Sequence, residues 1–519
     1  MGRHAIVARI VAVAAFVALA GCVDVDEGPE GAPPTFTEIP GPGLEGVQTC
    51  SVAWGDCDND GDLDLAVAGA TSGGRLTTIY ENDGAGSFSE FAGLGLAGVS
   101  NCSLAWGDVD SDGDLDLAVA GYTGADVLTT VYENDGAGGF TEFAGPGLTG
   151  VFHCSVAWGD CDNDGDLDLA IAGYKFIGRI TTVYENDGAG VFTELEGLGL
   201  PSVSDCSLAW GDADNDGDLD LAVAGEEGGG YLAKVYENIG GAVPFDGTQL
   251  ATGLVGVSHC SLAWGDADND GDLDLALAGE DEGGVEIIRV YENAGGAVPF
   301  DGTELASGLT GVADCSLSWG DCEGDGDLDL AVAGYTGSAY VAKIYENDGS
   351  GALSEFQGLG LAGVGFGSLA WGDCDNDGDL DLAVAGWTGG PYVTKVYEND
   401  GPVPNTPPDA PTWLEHMGSV LGCEVLRCNA SADAETPTQG LSYNLMIKDA
   451  SGATHYFPAM AEEATGARRI PALGPVVSRG AKVLFAVKLD GGNFEARVQA
   501  IDSGLEGGAW SEPCLFTVP

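Results

Sequence analysis

Seven copies of one unit occupy most of this 519-residue chain. Each reads, with small variations, as a Cys-Ser-Val/Leu-Ala-Trp-Gly-Asp stretch, an Asp-rich loop, Leu-Asp-Leu-Ala-Val-Ala-Gly, then Thr-Val-Tyr-Glu-Asn and Phe-Thr-Glu-Phe. The first loop aspartates, Asp56, Asp108, Asp160, Asp212, Asp266, Asp321 and Asp373, are spaced by 52, 52, 52, 54, 55 and 52 residues. A unit of this size cannot bury its apolar face alone, so neighbours must stack. Each holds four short β-type runs separated by Gly, Asn and Asp turns, the pattern of one propeller blade.

The run Leu65 to Gly69 is apolar on both faces, with Leu65 and Val67 on one side and Ala66 and Ala68 on the other, and must be covered from both. Large residues facing a neighbour's alanines let adjacent sheets interdigitate closely. The Trp and Tyr that recur once per unit, Trp54 and Tyr80 in the first, are expected between sheets. Outer strands follow units one to six at Phe88, Phe140, Phe192, Phe245, Phe300 and Leu353, but after Asn399 the chain meets Pro402, Pro404 and Pro407. An orphan Phe36-Thr37-Glu38-Ile39 precedes the first unit, and on the edge of the last sheet it would complete the set and leave no open seam. The expected fold is all-β: a seven-bladed β-propeller over residues 36–401, closed by its N-terminal strand.

Residues 402–411 form a Pro-rich linker, and residues 412–519 carry alternating runs such as Leu441 to Ile447 and Glu495 to Ile501, expected to build a small β-sandwich. At the other end, residues 1–21 have the form of an export signal: Arg3 and Arg9 supply positive charge, and Ile10 to Ala20 is an apolar run too short to span a bilayer. Residues 22–35 are acidic and rich in Pro and Gly, as a flexible tether would be. Lys and Arg total 17 against 83 Asp and Glu, a formal net charge of -66. Such a surface repels phosphate backbones and anionic headgroups, which argues against nucleic-acid binding and polybasic membrane docking, and leaves cations as natural partners.

The loops concentrate that acidity. Carboxylates stand at loop positions one, three, five, seven and nine, with Gly at six to curl the backbone so that alternate side chains converge. The candidate metal residues are Asp56, Asp58, Asp60, Asp62 and Asp64 in the first loop and Asp108, Asp110, Asp112, Asp114 and Asp116 in the second. The third loop has Asp160, Asp162, Asp164, Asp166 and Asp168, and the fourth Asp212, Asp214, Asp216, Asp218 and Asp220. In the fifth stand Asp266, Asp268, Asp270, Asp272 and Asp274. The sixth carries Asp321, Glu323, Asp325, Asp327 and Asp329, and the seventh Asp373, Asp375, Asp377, Asp379 and Asp381. Hard oxygen donors in this number suit Ca²⁺, with the backbone carbonyl of position seven as a further ligand. The sixth loop departs from the pattern, and its Gly324 is expected to loosen it.

This spacing, followed by Leu-Asp-Leu-Ala-Val-Ala-Gly, resembles the FG-GAP and VCBS-type repeats of integrin alpha-subunit propellers and many bacterial surface proteins, over residues 36–401. The resemblance implies Ca²⁺ between the first two strands of each blade, up to seven structural ions. Leu19-Ala20-Gly21-Cys22 resembles the lipobox of bacterial lipoproteins, which implies lipidation at Cys22. The protein would then be exported and lipid-anchored at the outer membrane or cell surface, touching membrane through that anchor only. The C-terminal stretch resembles fibronectin type III-like modules. The resulting expectation is a surface binding or adhesion protein for a protein or carbohydrate ligand, not an enzyme. The competing reading is a secreted carbohydrate-active enzyme, since some polysaccharide lyases use calcium propellers.

The loops between second and third strands differ in every unit and carry aromatics, of which Tyr122, Tyr174, Tyr335 and Trp387 are expected to form one ligand rim opposite the metal loops. His153 and His259 precede strand-opening cysteines at a position that varies from unit to unit, and read as loop filler. The strand cysteines, from Cys50 to Cys315, and those at loop position two read as small buried thiols, while Cys423, Cys428 and Cys514 leave room for one disulfide.

Overall fold

The computed structural model describes residues 34–518, apart from short gaps at 41–42, 92, 144–146, 241–242, 297 and 402–404 and several stretches between 421 and 490. The expected export signal, Cys22 and most of the expected tether lie outside the described residues. The described chain is all-β, with no helix.

In unit one the strands are Gln48–Gly55, Asp64–Ala70, Arg75–Asn82 and Phe88–Glu90, antiparallel and hydrogen-bonded in that order. The second strand is buried on both faces, as its double apolar face requires, and Leu65 to Ala68 have no exposed surface. Units two, three and six repeat the four-stranded sheet, and unit four has the same four strands but is joined to unit five in one seven-stranded sheet through the pairing of Leu232 with Val257. Unit five keeps Val257–Gly265, Asp274–Asp281 and Glu286–Tyr291, but its expected edge at Phe300 is reduced to single bridges, Ala251 with Phe300 and Tyr291 with Glu304. There the Asp301 carboxylate accepts both N–H and Oγ–H of Thr303 at 2.9 and 2.6 Å, and the turn interrupts the ladder. The equivalent Asp246 turn in unit four costs that edge only a register shift.

Three repeated bonds join consecutive sheets. Between units one and two, Trp106 Nε1 donates to Ala53 O at 3.3 Å and the Leu104 N–H donates to Ser51 Oγ at 3.1 Å. Asn134 Nδ2 donates to Cys57 O at 2.6 Å and to Leu115 O of its own loop at 3.0 Å. The same set links unit seven to unit one: Trp54 Nε1 to Ala370 O at 3.2 Å, the Val52 N–H to Ser368 Oγ at 3.2 Å, and Asn82 Nδ2 to Cys374 O at 2.7 Å. The last unit is thus bonded to the first as each other unit is to its neighbour. The indole also explains the Gly of every Trp-Gly-Asp, since a Cβ on Gly107 would lie 2.8 Å from Trp158 Cδ1. Truncating the latch, Asn134→Ala, strands two buried carbonyls and is expected to cost about 1–3 kcal/mol, read as a shift of the denaturation midpoint at constant slope.

The fourth strand of unit seven comes from the start of the chain. Phe36–Glu38 pairs antiparallel with Tyr392–Asn399, in register Phe36 with Asn399. Phe36 packs on Trp371 at a centroid distance of 6.0 Å, the place that Phe88 takes beside Trp54 in unit one.

Beyond residue 404, a three-stranded sheet (Leu414–Val420, Cys423–Asn429, Lys482–Val487) faces a second built on Ser442–Asp449 and Gly492–Ile501. Leu426 and Phe485 of the first share one apolar core with Leu445, Val498 and Phe516 of the second. This part meets the repeats at unit six and seven, where Leu505 enters the core around Trp371 and Leu382. Cys428 and Cys514 are free thiols, as are all described cysteines of the repeats.

Candidate functional site

Each acidic loop joins the first and second strands of its unit and is held by its own carboxylates. Asp56 accepts the N–H groups of Asp60 and Gly61 at 3.1 and 3.2 Å, which folds the loop back on position one. Asp64 is buried and accepts the N–H groups of Cys57 and Asn82 at 3.0 Å each. The curl needs left-handed backbone at positions four and six, where Asn59 and Gly61 have φ of 62° and 96°. Positions one, three and nine converge: Asp56, Asp58 and Asp64 bring one carboxylate oxygen each to within 4.8 Å of one another, as do Asp108, Asp110 and Asp116 in the second loop, with the third and fourth alike.

The donor set fits a divalent cation. In four loops the position-three carboxylates, Asp58, Asp110, Asp268 and Asp375, each keep Oδ1 buried without a hydrogen-bond partner. Such an atom is costly unless something positive meets it. Burial, reinforced by neighbouring carboxylates, pushes Asp64 and Asp116 up to about 7 and Asp108 and Asp266 up to about 8. A cation would reverse that cost.

Positions five and seven do other work. Asp60 Oδ1 accepts the Asp62 N–H at 3.0 Å and shapes the turn. In five loops the position-seven carboxylate turns to the preceding sheet. Asn59 Nδ2 donates to Asp114, Asn163 to Asp218, Asn215 to Asp272, Asn269 to Asp327 and Asn376 to Asp62, at 2.5–2.8 Å. These clasps lie on the loop side of the sheets and join residues 55 or more apart in sequence, so no local pattern announced them. They leave the carbonyl of position seven, rather than its side chain, as the ligand that position can offer.

The sixth loop differs for a reason the sequence hinted at without explaining. Gly324 has φ of 71°, so it keeps the left-handed turn instead of loosening it; the loss is the clasp side chain. Asp321 is drawn into the C-terminal part: its N–H donates to Ser503 O at 3.0 Å, and its Oδ2 accepts Ser503 Oγ–H at 2.9 Å. The convergent group here is Cys322, Glu323 and Asp329, without Asp321.

At the opposite end of the sheets the expected rim resolves into two clusters. Tyr122 and Tyr174 meet through Phe152, at centroid distances of 6.0 and 5.5 Å, with Phe176 beside them and the Arg75 guanidinium 4.7 Å over the Tyr122 ring. Tyr335 and Trp387 meet through Tyr340 at 5.1 and 5.2 Å, with Phe366 against Trp387. Sequence reasoning missed Phe152 and Phe366, which open inner strands rather than sit in the variable loops. Tyr122 and Trp387 also serve their own hairpins, donating to Gly124 O at 2.8 Å and Gly390 O at 3.1 Å.

The FG-GAP-like repeat family matches the chain four times, over residues 56–119, 108–171, 214–277 and 321–384. Each match runs from one acidic loop to the second strand of the following unit, so together they touch all seven loops. No curated protein matches the chain. Among solved structures, a thermostable family-43 glycoside hydrolase aligns at 9% identity over 59% of this chain and 90% of that one, with a TM-score of 0.27, too low to carry an argument.

Proposed function

Since FG-GAP-like repeats occur four times in this chain, we propose that it is a calcium-stabilised, seven-bladed β-propeller with a C-terminal β-sandwich that binds a protein or carbohydrate ligand at the cell surface. The sheet-to-sheet bonds that run from unit seven back to unit one support the closed ring. Convergent carboxylates with buried, partnerless oxygens support Ca²⁺, which takes six to eight oxygen ligands and tolerates irregular geometry. The lipobox-like Leu19-Ala20-Gly21-Cys22 supports export and a lipid anchor.

The observation that carries the recognition reading is the pairing of aromatic clusters on the loop-variable face. Tyr122, Phe152, Tyr174 and Phe176 present ring faces and edges beside Arg75, and Phe176 and Ile177 are 55% and 90% exposed. Exposed aromatics on a rigid scaffold stack on sugar rings or anchor a protein surface at small entropic cost. With Tyr122, Tyr174, Tyr335 and Trp387 all changed to Ala, binding to glycan arrays and cell-surface extracts is expected to vanish while the calcium-dependent melt stays within a few degrees. Retained binding would move the site to the calcium face or the C-terminal module. Turnover of acidic polysaccharides by the wild-type protein would replace the binding role with an enzymatic one.

A further inference from the structure

One residue in each unit immediately precedes the inner strand's Cys, or Gly367 in unit seven, and adopts the same unusual backbone. Thr49, Asn101, His153, Asp205, His259, Asp314 and Phe366 all have φ between 46° and 51°. Left-handed backbone is costly for His, Thr or Phe, so its sevenfold recurrence marks a feature of the scaffold rather than of any side chain. The bulge is pinned from the next unit: Cys102, Cys154, Cys206, Cys260 and Cys315 each direct Sγ at the bulge carbonyl of the preceding unit, 3.5–3.8 Å away. The backbone is constant and the side chain is free to vary.

Four consecutive units use that freedom for titratable groups, and the structure brings them together. His153 Nδ1 lies 2.7 Å from Asp205 Oδ1, and His259 Nε2 lies 3.7 Å from the same oxygen. Asp314 is within electrostatic reach of both imidazoles. The His153 and His259 side chains are 40% and 42% exposed, so the group is open to solvent. Its surroundings are acidic, with Glu280 beside Asp314 and Glu226 and Asp205 beside Tyr231. An anionic ligand is therefore disfavoured. A Ser-His-Asp catalytic reading also fails: Ser258 Oγ is 3.3 Å from His259 Nδ1, but Ser258 is fully buried and no substrate reaches it.

We propose that His153, Asp205 and His259 form a binding site for one borderline transition-metal ion of the Zn²⁺ or Co²⁺ class at the end of the inner strands opposite the acidic loops. Two imidazoles with a carboxylate select such ions over Ca²⁺ and Mg²⁺, which prefer all-oxygen sets. Both imidazoles already reach the same Asp205 oxygen. Ligand atoms about 2.1 Å from a tetrahedral ion stand about 3.4 Å apart; His259 Nε2 and Asp205 Oδ1 are close to that, and His153 must open by well under 1 Å. This site rests on neither the ion in the loops nor the aromatic clusters.

The test is a Co²⁺ titration of the full chain in saturating Ca²⁺. One equivalent should bind with the visible absorption of nitrogen-ligated Co²⁺, and Zn²⁺ should displace it. His153→Asn and His259→Asn are mild replacements, because Asn101 occupies the same bulge naturally. Each should weaken Co²⁺ binding by at least about tenfold and leave the calcium-dependent melt unchanged. Asp205→Asn, nearly isosteric, should do the same. The proposal is overturned if the wild-type protein takes up no Co²⁺ under these conditions, if the three variants bind it as tightly as wild type, or if raising Ca²⁺ abolishes the absorption, which would place the ion in the acidic loops.

Discussion

Stripping divalent ions with a chelator is expected to lower the melting temperature of the repeats by about 20 °C. A ligand present at a hundredfold excess over its Kd stabilises by about 2.7 kcal/mol per site. Six such loops, leaving out the sixth, whose Asp321 is held by Ser503, give roughly 16 kcal/mol, and for a domain of this length each kcal/mol moves the melt by a little over 1 °C. Ca²⁺ should restore the melt and Mg²⁺ should do so poorly, because Mg²⁺ demands octahedral geometry and sheds water reluctantly. The pH dependence gives a second handle. Burial raises Asp64 and Asp116 to about 7 and Asp108 and Asp266 to about 8, so the folded, metal-free protein holds protons that the unfolded chain has released. Its stability is fully present below the ordinary carboxylate range and is lost as pH rises through about 8. Bound calcium would replace those protons, so on the proposed function the calcium-induced rise in melting temperature should grow over the same window. Calorimetry at pH 5 and pH 8, with and without chelator, checks both signs. A chelated protein that melts higher at pH 8 than at pH 5 would remove the carboxylates from the account.

Deleting the chain through Ile39 is expected to be nearly as damaging. It takes Phe36 away from Trp371 and Ile39 from the core that contains Val396. Phe36 is half-buried, so its loss costs only part of the about 3–5 kcal/mol that a fully buried Phe contributes, but the deletion also bares the hydrogen-bonding edge of Tyr392–Asn399, which invites aggregation. The truncated protein should show concentration-dependent aggregation and early protease cleavage in unit seven. Truncation after residue 404 should be milder, since what it uncovers is the Ser503 bond to Asp321 and the seat of Leu505. The opposite ranking would mean that the C-terminal part, and not the first strand, secures the last sheet.

What was legible in the sequence was whatever repeats. The double apolar face of Leu65 to Ala68, the Trp-Gly-Asp and Tyr-Glu-Asn stretches and the missing seventh edge gave the sheets, their order and the place of Phe36–Glu38. The same periodicity pointed to convergence of the alternate loop carboxylates, and positions one, three and nine do converge, while position five was expected there too. Three features escaped because they join residues far apart or hide under variable side chains. The Asn59 to Asp114 clasp spans two loops, and both residues read as members of their own. The Ser503 to Asp321 bond spans 182 residues; only the odd Glu323-Gly324 pair pointed at it. The bulge at His153 and Asp205 looked like filler because its side chain changes from unit to unit, while the property that persists there, a positive φ, leaves no trace in residue type.

The pairing of the first strand with the last sheet also sets an order of events during synthesis. Thr35 and Asp400, neighbours across that seam, are 365 residues apart, so Phe36–Glu38 waits for almost all of the repeats to be translated before its partner exists. Until then the growing chain is an open array with a sticky, unfinished front. Keeping that strand to three residues, Phe36–Glu38, with a carboxylate at its end, limits what it can wrongly pair with during the wait. The array can stay open for as long as it takes the ribosome to deliver Asn399, and the first strand then joins unit seven in one late step.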